Sequence, residues 1–304
     1  MNRVLIADGM DKEKAEELRK LGYDLIEKKV DKDELLDIVK DIDAIVVRSR
    51  TKVTREVVDA ALETGNLKIV IRAGIGLDNI DLDYCKEKGI KVFNTPNSSA
   101  NSVAELAIGQ MISIARFADL ANIEMKEEKW NKADYKGFEI MDKTLGLIGF
   151  GRISKTLADK ASALGMNIIY TDLIDQDYEN YRQVDMDELL SESDFISIHI
   201  PGGPANKHMI SDSEFAKMKD GVFLINLSRG GIVDEKALIK ALDNGKLRAA
   251  AVDVFEEEPT GNKELLKHNR VALTPHIGAS TIEAQKRIAC EVINILEENL
   301  NGQD

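Results

Sequence analysis

Gly146-Leu-Ile-Gly149-Phe-Gly151-Arg-Ile-Ser154 is the stretch whose reading decides the fold. It completes a short apolar run, Thr144–Gly149, that reads as a strand. It also opens a segment, about Ile153–Leu164, with the apolar spacing of a helix. Gly149 permits a tight turn, and Gly151 lets backbone approach a pyrophosphate held at the helix N-terminus. The third position of the fingerprint holds Ser154 where glycine is usual; that position serves close helix–strand packing, which serine tolerates with slight displacement. The next strand, Asn167–Thr171, ends at Asp172, 21 residues beyond Gly151. A carboxylate there accepts hydrogen bonds from the ribose hydroxyls of NAD and repels the extra phosphate of NADP. Glycines alone signal only a tight turn; with the acid at this spacing they point to NAD.

Outward from this stretch, short apolar runs alternate with longer amphipathic segments. Upstream, Val4–Ala7, Ala44–Val47, Lys68–Arg72 and Lys91–Asn94 read as strands, with helical periodicity at Lys12–Leu21, Lys32–Ile38 and Thr54–Leu62. A helix of several turns is expected from Ser98 to about Phe117, then a looser stretch around Trp130–Phe138. Downstream, strands are expected at Phe195–His199, Val222–Asn226, Ala249–Val252 and Val271–Thr274, and an amphipathic helix at Thr281–Asn299. Such alternation predicts an α/β protein of two doubly wound parallel-sheet domains. A glycine loop near residue 150 leaves room for a separate domain before it, and the last helix can return to pack on that domain. The expected division is residues 95–278 for NAD, with 1–94 and 279–304 forming a discontinuous substrate-side lobe that closes over a cleft.

Of the 304 residues, 43% are hydrophobic and 31% charged, with a net charge of −13. This acidity argues against nucleic acid or an anionic membrane as partner. No run approaches ~18 apolar residues, and the opening Met1-Asn-Arg-Val-Leu-Ile-Ala-Asp8 lacks the layout of a signal peptide. The two cysteines, Cys85 and Cys290, read as reduced thiols, and the expected location is the cytoplasm.

Catalytic candidates fall just past strand ends, where ligands sit in open α/β sheets. His276 follows Val271–Thr274, and imidazole titrates in the range needed to give and retake a carbonyl's proton. Glu258 follows the preceding strand; a carboxylate beside an imidazole orients it and favours its charged form. Glu256–Glu258 also fits a solvated acidic run, and the pattern alone does not choose. Arg229 follows the strand before that, with a planar fork suited to a carboxylate. His208 and His268 lie in polar surroundings and read as surface residues. His199 closes a strand before Pro201 and either borders the cofactor or is structural.

The sequence resembles the D-isomer-specific 2-hydroxyacid dehydrogenases, and within them the phosphoglycerate dehydrogenases. The resemblance runs through Val47-Arg-Ser-Arg-Thr-Lys-Val-Thr54, Arg72-Ala-Gly-Ile-Gly-Leu-Asp-Asn79, Asn94-Thr-Pro-Asn97, Arg229-Gly-Gly-Ile-Val-Asp234 and Pro275-His-Ile-Gly-Ala-Ser-Thr-Ile-Glu-Ala-Gln285. It implies His276 as acid–base, Glu258 as its partner and Arg229 as ligand of the substrate's carboxylate and carbonyl. It further implies a cofactor site of Gly149, Phe150, Gly151, Arg152, Ile153, Asp172, His199, Pro201, Ser228, Asp253 and Gly278, with Asp253 near the nicotinamide amide. On the substrate side it implies Arg48 and Arg72 near a phosphate, backbone N–H groups of the Gly74 loop at the carboxylate, neighbouring Ile75 and Asn97, and Lys132 reaching across a homodimer. The loop Pro201-Gly-Gly-Pro-Ala-Asn-Lys207 departs from the family's wording. Many members continue past the last helix into a regulatory domain; this chain stops there, so no feedback inhibition by L-serine is expected. The implied activity is NAD-dependent oxidation of 3-phospho-D-glycerate. The alternatives are the same chemistry on an unphosphorylated acid such as glyoxylate, hydroxypyruvate or D-lactate, or a dinucleotide-sensing scaffold. No metal is implied.

Overall fold

A computed structural model describes residues 2–176 and 178–301 and resolves two compact units, 1–99 with 279–304 and 100–278. Residues 302–304, which the expected division assigned to the substrate-side lobe, lie outside the described residues.

The first unit is built from β1 (Arg3–Ile6), α1 (Lys12–Lys20), β2 (Asp24–Glu27), α2 (Lys32–Ile38), β3 (Ala44–Val47), α3 (Arg55–Leu62), β4 (Ile69–Arg72), α4 (Leu82–Glu87) and β5 (Lys91–Asn94). Its strands are all parallel, in the order β2-β1-β3-β4-β5. Because successive strand residues face opposite sides, the near-continuous apolar runs feed two cores. Leu5, Ile45, Val47 and Val70 pack with Val39, Val57 and Val58 on one face. Val4, Ile6, Val46 and Ile71 pack with Leu18 on the other, where Ile288, Val292 and Leu296 of the final helix (Ile282–Leu296) complete the layer. Aspartates start the helices: Asp11 and Asp31 accept the amides of Lys14 (3.1 Å) and Glu34 (2.9 Å).

The second unit runs through α5 (Ala100–Arg116), α6 (Ala118–Lys126), β6 (Thr144–Ile148), α7 (Arg152–Ala163), β7 (Asn167–Thr171), β8 (Arg182–Gln183), α8 (Met186–Glu192), β9 (Phe195–Ile198), α9 (Asp212–Lys217), β10 (Val222–Asn226), α10 (Glu235–Asp243), β11 (Leu247–Val252), α11 (Lys263–Lys267) and β12 (Val271–Leu273). The parallel order is β12-β11-β10-β9-β6-β7-β8, which reverses between β6 and β9. Leu145, Leu147, Phe195 and Ile225 meet α5 and α7 through Ala107, Met111, Leu157 and Ala161. Ile148, Ile196, Ile198 and Leu224 meet α8 and α10 through Leu189, Leu190, Leu238 and Leu242.

The first boundary between units differs from expectation. It falls after Ser99, not after Asn94, because residues 95–99 are bonded into the first unit. The Thr95 amide donates to the Gly74 carbonyl (2.9 Å), the Ser98 hydroxyl to Glu291 (2.7 Å), and Arg287 to the Ser98 carbonyl (2.9 Å). The α-helical part of the final helix ends at Leu296 and a π-helical turn continues to Asn301.

Leu296 is fully buried in the first unit although 197 residues separate it from Ser99 in the chain. Leu296→Ala is expected to cost about 2–5 kcal/mol. Amide exchange should accelerate in β1, β3 and β4 and stay unchanged in β9–β11. Acceleration confined to the second unit would contradict this assignment of the final helix.

Candidate active site

In the second unit three adjacent strands, β10, β11 and β12, end side by side and each hands one side chain to the same edge. Arg229 follows β10 through a stiff bend: buried Asn226 accepts from the Ser228 amide (3.2 Å) and hydroxyl (2.9 Å) and donates to the Arg229 carbonyl (3.0 Å). Gly230 comes next, and a Cβ on it would lie 1.8 Å from the Phe255 carbonyl oxygen, so only glycine lets the Arg229 loop seat against the loop after β11.

That neighbouring loop begins with Asp253, which is 1% exposed. Its Oδ1 accepts from the Thr274 hydroxyl (2.6 Å) and the Ile277 amide (2.8 Å), and its Oδ2 from the Gly278 amide (2.9 Å). Asp253 thus shapes the turn from 274 to 278, and within it His276 takes a left-handed φ of 53°. The His276 amide donates to the Asp253 carbonyl (2.8 Å), and its Nδ1 lies 2.7 Å from Glu258 Oε2. Glu258 also accepts the Phe255 amide at 3.2 Å.

Burial pushes the Glu258 carboxyl upward, but the hydrogen bond and charge of His276, the Phe255 amide and the charge of Arg229 bring it below the usual carboxylate value. A depressed folded-state value means the pair's contribution is complete above the ordinary carboxylate range and is lost as pH falls through the depressed value. Of the two readings open for the acidic run, the geometry selects the pair with His276. Because ionised Glu258 can only accept, it accepts a hydrogen bond from Nδ1–H, which leaves Nε2 as the nitrogen able to exchange protons with a ligand.

The glycine loop after β6 also lies in this unit. Gly149 has φ 85°, and a Cβ there would meet the His199 carbonyl at 2.7 Å. A Cβ built on Gly151 would meet nothing within 4 Å, and no side chain caps the N-terminus of α7. Ser154 is buried and donates to the Gly149 carbonyl (2.6 Å), so the serine that departs from the fingerprint braces the turn. Asp172 Oδ2 accepts the Phe150 amide (2.7 Å) and its Oδ1 the Ile174 amide (3.1 Å). The Phe150 ring itself is buried and stacks on Tyr170 at 3.7 Å, so this residue contributes backbone only. Arg152 is exposed and Ile153 half-buried.

His199 has Nε2 2.9 Å from the Ser197 hydroxyl, and burial pushes its imidazole down to about 4. It is neutral at physiological pH and unsuited to acid–base exchange there. Pro201 is exposed and its carbonyl accepts from Asn206 (2.9 Å), so the unusual loop is closed on itself. Gly278 is buried 3.2 Å from Asp253 Oδ2, measured from a Cβ built on it. Lys132 is exposed on a short turn, Lys132–Asp134, after the α6 region, where Ile123, Met125 and Trp130 are also exposed.

In the first unit, Arg48 sits past β3 and Arg72 ends β4. Arg72 Nη2 donates to the Ser49 hydroxyl (2.9 Å), and Nη1 to the Ala73 carbonyl (3.1 Å). The Gly74 loop differs from expectation in one respect: the Gly74 amide donates to the Arg72 carbonyl (2.8 Å), so that N–H is already engaged. The Ile75 carbonyl accepts from Asn94 (2.7 Å), and Asn97 is exposed. Sequence reading missed Asn226 and Thr274, which shape the turns that carry Arg229 and His276; each closes an expected strand, two residues before a chosen residue, Ser228 and His276.

Residues 108–278 match the family model for the NAD-binding domain of D-isomer specific 2-hydroxyacid dehydrogenases. The chain belongs to that family. It is 47% identical over 303 residues to a Thermotoga maritima protein named hydroxypyruvate reductase, spanning 98% of both chains. It is 42% identical over 308 residues to the D-3-phosphoglycerate dehydrogenase of Methanocaldococcus jannaschii, covering all of this chain but 58% of that protein. Among solved structures, D-lactate dehydrogenase from Aquifex aeolicus, complexed with NAD and lactic acid, superposes with a TM-score of 0.85 at 30% identity, covering 99% of this chain and 96% of that one.

The dehydrogenase therefore uses NAD, and its own residues fit the dinucleotide: a glycine turn with open space at Gly151, uncapped helix amides for a pyrophosphate, and a carboxylate at the end of β7. Asp172 keeps acceptor capacity beyond its two amide bonds, since a carboxylate offers about four lone-pair sites. Asp172→Ala should weaken NAD binding and relax discrimination against NADP, measured as the ratio of kcat/KM values for the two cofactors. An unmodified enzyme that already used NADP as well as NAD would contradict the assignment.

Proposed function

We propose that this dehydrogenase oxidises 3-phospho-D-glycerate to 3-phosphohydroxypyruvate, with Arg229, Glu258 and His276 as its catalytic residues. The observation that carries the phosphorylated substrate is the arginine pair of the first unit. Arg48 is half-buried, and burial lowers its guanidinium from the ordinary value against the opposing charge of Asp8. Arg72 is tied to Ser49 on the same turn. A guanidinium on this turn and a second one bonded to it from the end of β4 suit a phosphate dianion, and desolvation makes each bond to it stronger.

When bound, NAD supplies the hydride acceptor. His276, with Nδ1 directed to Glu258, takes the substrate's hydroxyl proton at Nε2, and Glu258 stabilises the resulting imidazolium. Arg229 offers its fork to the carboxylate and polarises the developing carbonyl. In the reverse direction the same imidazolium returns the proton.

A second reading, reduction of hydroxypyruvate or another unphosphorylated keto acid, is favoured by the Thermotoga maritima relative, which matches this chain along its whole length. The two separate in one experiment: reduction of 3-phosphohydroxypyruvate against hydroxypyruvate by the unmodified enzyme, Arg48→Ala and Arg72→Ala. A hydrogen bond to a charged group is worth roughly 1.5–3 kcal/mol. Each variant should therefore lose about ten- to a hundredfold in kcat/KM on the phosphorylated substrate and much less on the other. Equal losses on both would favour the second reading.

His276→Asn is expected to abolish turnover while NAD affinity, measured by calorimetry, is retained, because the lost group moves a proton and does not hold the dinucleotide. Glu258→Gln should cost less and should lower the pH at which kcat/KM titrates, since the neighbouring negative charge is gone. A His276→Asn enzyme turning over at a near-normal rate would overturn the assignment.

A further inference from the structure

The turn bearing Arg48 is clamped by two residues outside the motifs' expected roles. Asp8, just past β1, accepts three hydrogen bonds from it: Oδ2 takes the amides of Arg48 (2.6 Å) and Thr51 (3.1 Å), and Oδ1 takes the Thr51 hydroxyl (2.8 Å). Asn79 Nδ2 answers with the opposite polarity, donating to the carbonyls of Arg48 (2.8 Å) and Thr51 (2.5 Å). Both ends of the turn are therefore fixed through N–H and C=O alike, while its middle is tied to Arg72 through Ser49. Thr51 is 7% exposed, so these bonds are shielded from water that would otherwise compete for them.

The clamp sits where β1 and β3 are neighbours, the point at which the strand order of this sheet reverses. That is the place in an open α/β sheet where ligands bind. Asp8 could have been a salt-bridge partner for Arg48, but its oxygens are spent on backbone and hydroxyl donors. Among the described residues nothing accepts a hydrogen bond from the Arg48 guanidinium. Its charge is balanced at a distance by Asp8 while its donors stay available.

We propose that Asp8 and Asn79 are positioning residues that set the Arg48 guanidinium for the distal anionic group of the substrate; this rests on the reading of Arg48 given above. An arginine side chain loses rotamer entropy when it binds, and a loose turn would add backbone freedom that binding must also remove. The clamp removes the backbone part in advance and acts by geometry, not by charge. Asp8→Asn tests that distinction: its amide oxygen can still accept both N–H groups, and its NH2 can donate to Thr51, whose hydroxyl can reverse its role. Asp8→Ala loses all three bonds.

The experiment compares KM and kcat for 3-phosphohydroxypyruvate and hydroxypyruvate in Arg48→Ala, Asp8→Ala, Asp8→Asn and Asn79→Ala, with thermal melts of each. Asp8→Ala and Asn79→Ala should raise KM for the phosphorylated substrate about tenfold, the scale of one charged hydrogen bond, with kcat little changed and hydroxypyruvate little affected. Asp8→Asn should stay close to the unmodified enzyme. Selective loss in Arg48→Ala, with Asp8→Ala and Asn79→Ala acting on both substrates alike or on neither, would overturn the positioning role and leave the reading of Arg48 standing. Unselective Arg48→Ala would bring down that reading and this inference with it. Equal damage from Asp8→Asn and Asp8→Ala would overturn the geometric account. Where Asp8→Ala fails to fold, Asn79→Ala decides; failure of both to fold would make the clamp a folding element and reject the proposal.

Discussion

One buried carboxylate sets the geometry of the proposed catalytic edge. Asp253 is nearly inaccessible to water, and a charge in that position is tolerated only when its lone pairs are met by donors. Thr274, Ile277 and Gly278 meet them, and in doing so bend the chain after β12 into the turn that holds His276 at a left-handed φ. A non-glycine residue in that conformation is held there by its surroundings, and here these are the Asp253 side chain and carbonyl together with Glu258 at the ring. Remove the bend and the imidazole leaves Glu258. The pairing that makes Nδ1 the donor and leaves Nε2 for the proposed proton exchange then has no geometric basis.

The strand order supplies the second half of the constraint. With β10, β11 and β12 adjacent and parallel, the segments that follow them share one edge. Asn226 fixes the first segment, Asp253 the second and third, and Gly230 lets the first seat on the second at a distance no Cβ would allow. The residues proposed to do the chemistry are thus carried by residues with no proposed part in it. Each supporting group is a short polar side chain or a glycine, chosen for a bond or a gap to the backbone rather than for reaching a ligand.

Sequence pattern made the architecture legible because both sheets are parallel and buried, so their strands appear as apolar runs such as Ala44-Ile-Val-Val47 and Val222-Phe-Leu-Ile-Asn226. Helices such as α8 and α10, which do bury leucines, were left unplaced between strands, and several other elements left unplaced have little to bury. β2 is a partly exposed edge strand of four residues, α4 spans six, β8 has two, and α6 has no buried residue at all. For α6 the apolar residues do not face the unit's own core, so periodicity had nothing to report. At the candidate site, the places of Arg229, Glu258 and His276 past three strand ends were legible, and the structure pairs Glu258 with His276. Asp8, Asn79, Asn226 and Thr274 were not, because their function is a hydrogen bond to backbone that only the fold brings within reach. Phe150 shows the opposite limit: its position in the glycine loop was legible, but the inward direction of its ring depends on Tyr170, which lies a strand away.

Charge decides how such a chain handles an acid. With 41 basic and 54 acidic residues, its average field repels the anionic substrates of its family. Many surface cations are neutralised in place, Arg3 by Asp24 and Asp41 and Arg182 by Glu188 and Glu192 among them. Beyond a Debye length of about 8 Å at physiological salt the residual field is screened, so attraction must come from groups in contact with the ligand. At the catalytic edge Glu258 faces two groups, Arg229 and His276, whose charges both favour its ionised form. On the proposed mechanism Glu258 and Arg229 offset one another while His276 is neutral. Binding the substrate carboxylate adds a negative charge, and the proton His276 then removes from the hydroxyl supplies the compensating positive one. Glu258 therefore serves both states. It orients the neutral ring before the transfer and carries the counter-charge after it, which is why a carboxylate held below its ordinary value suits that position better than an amide of the same shape.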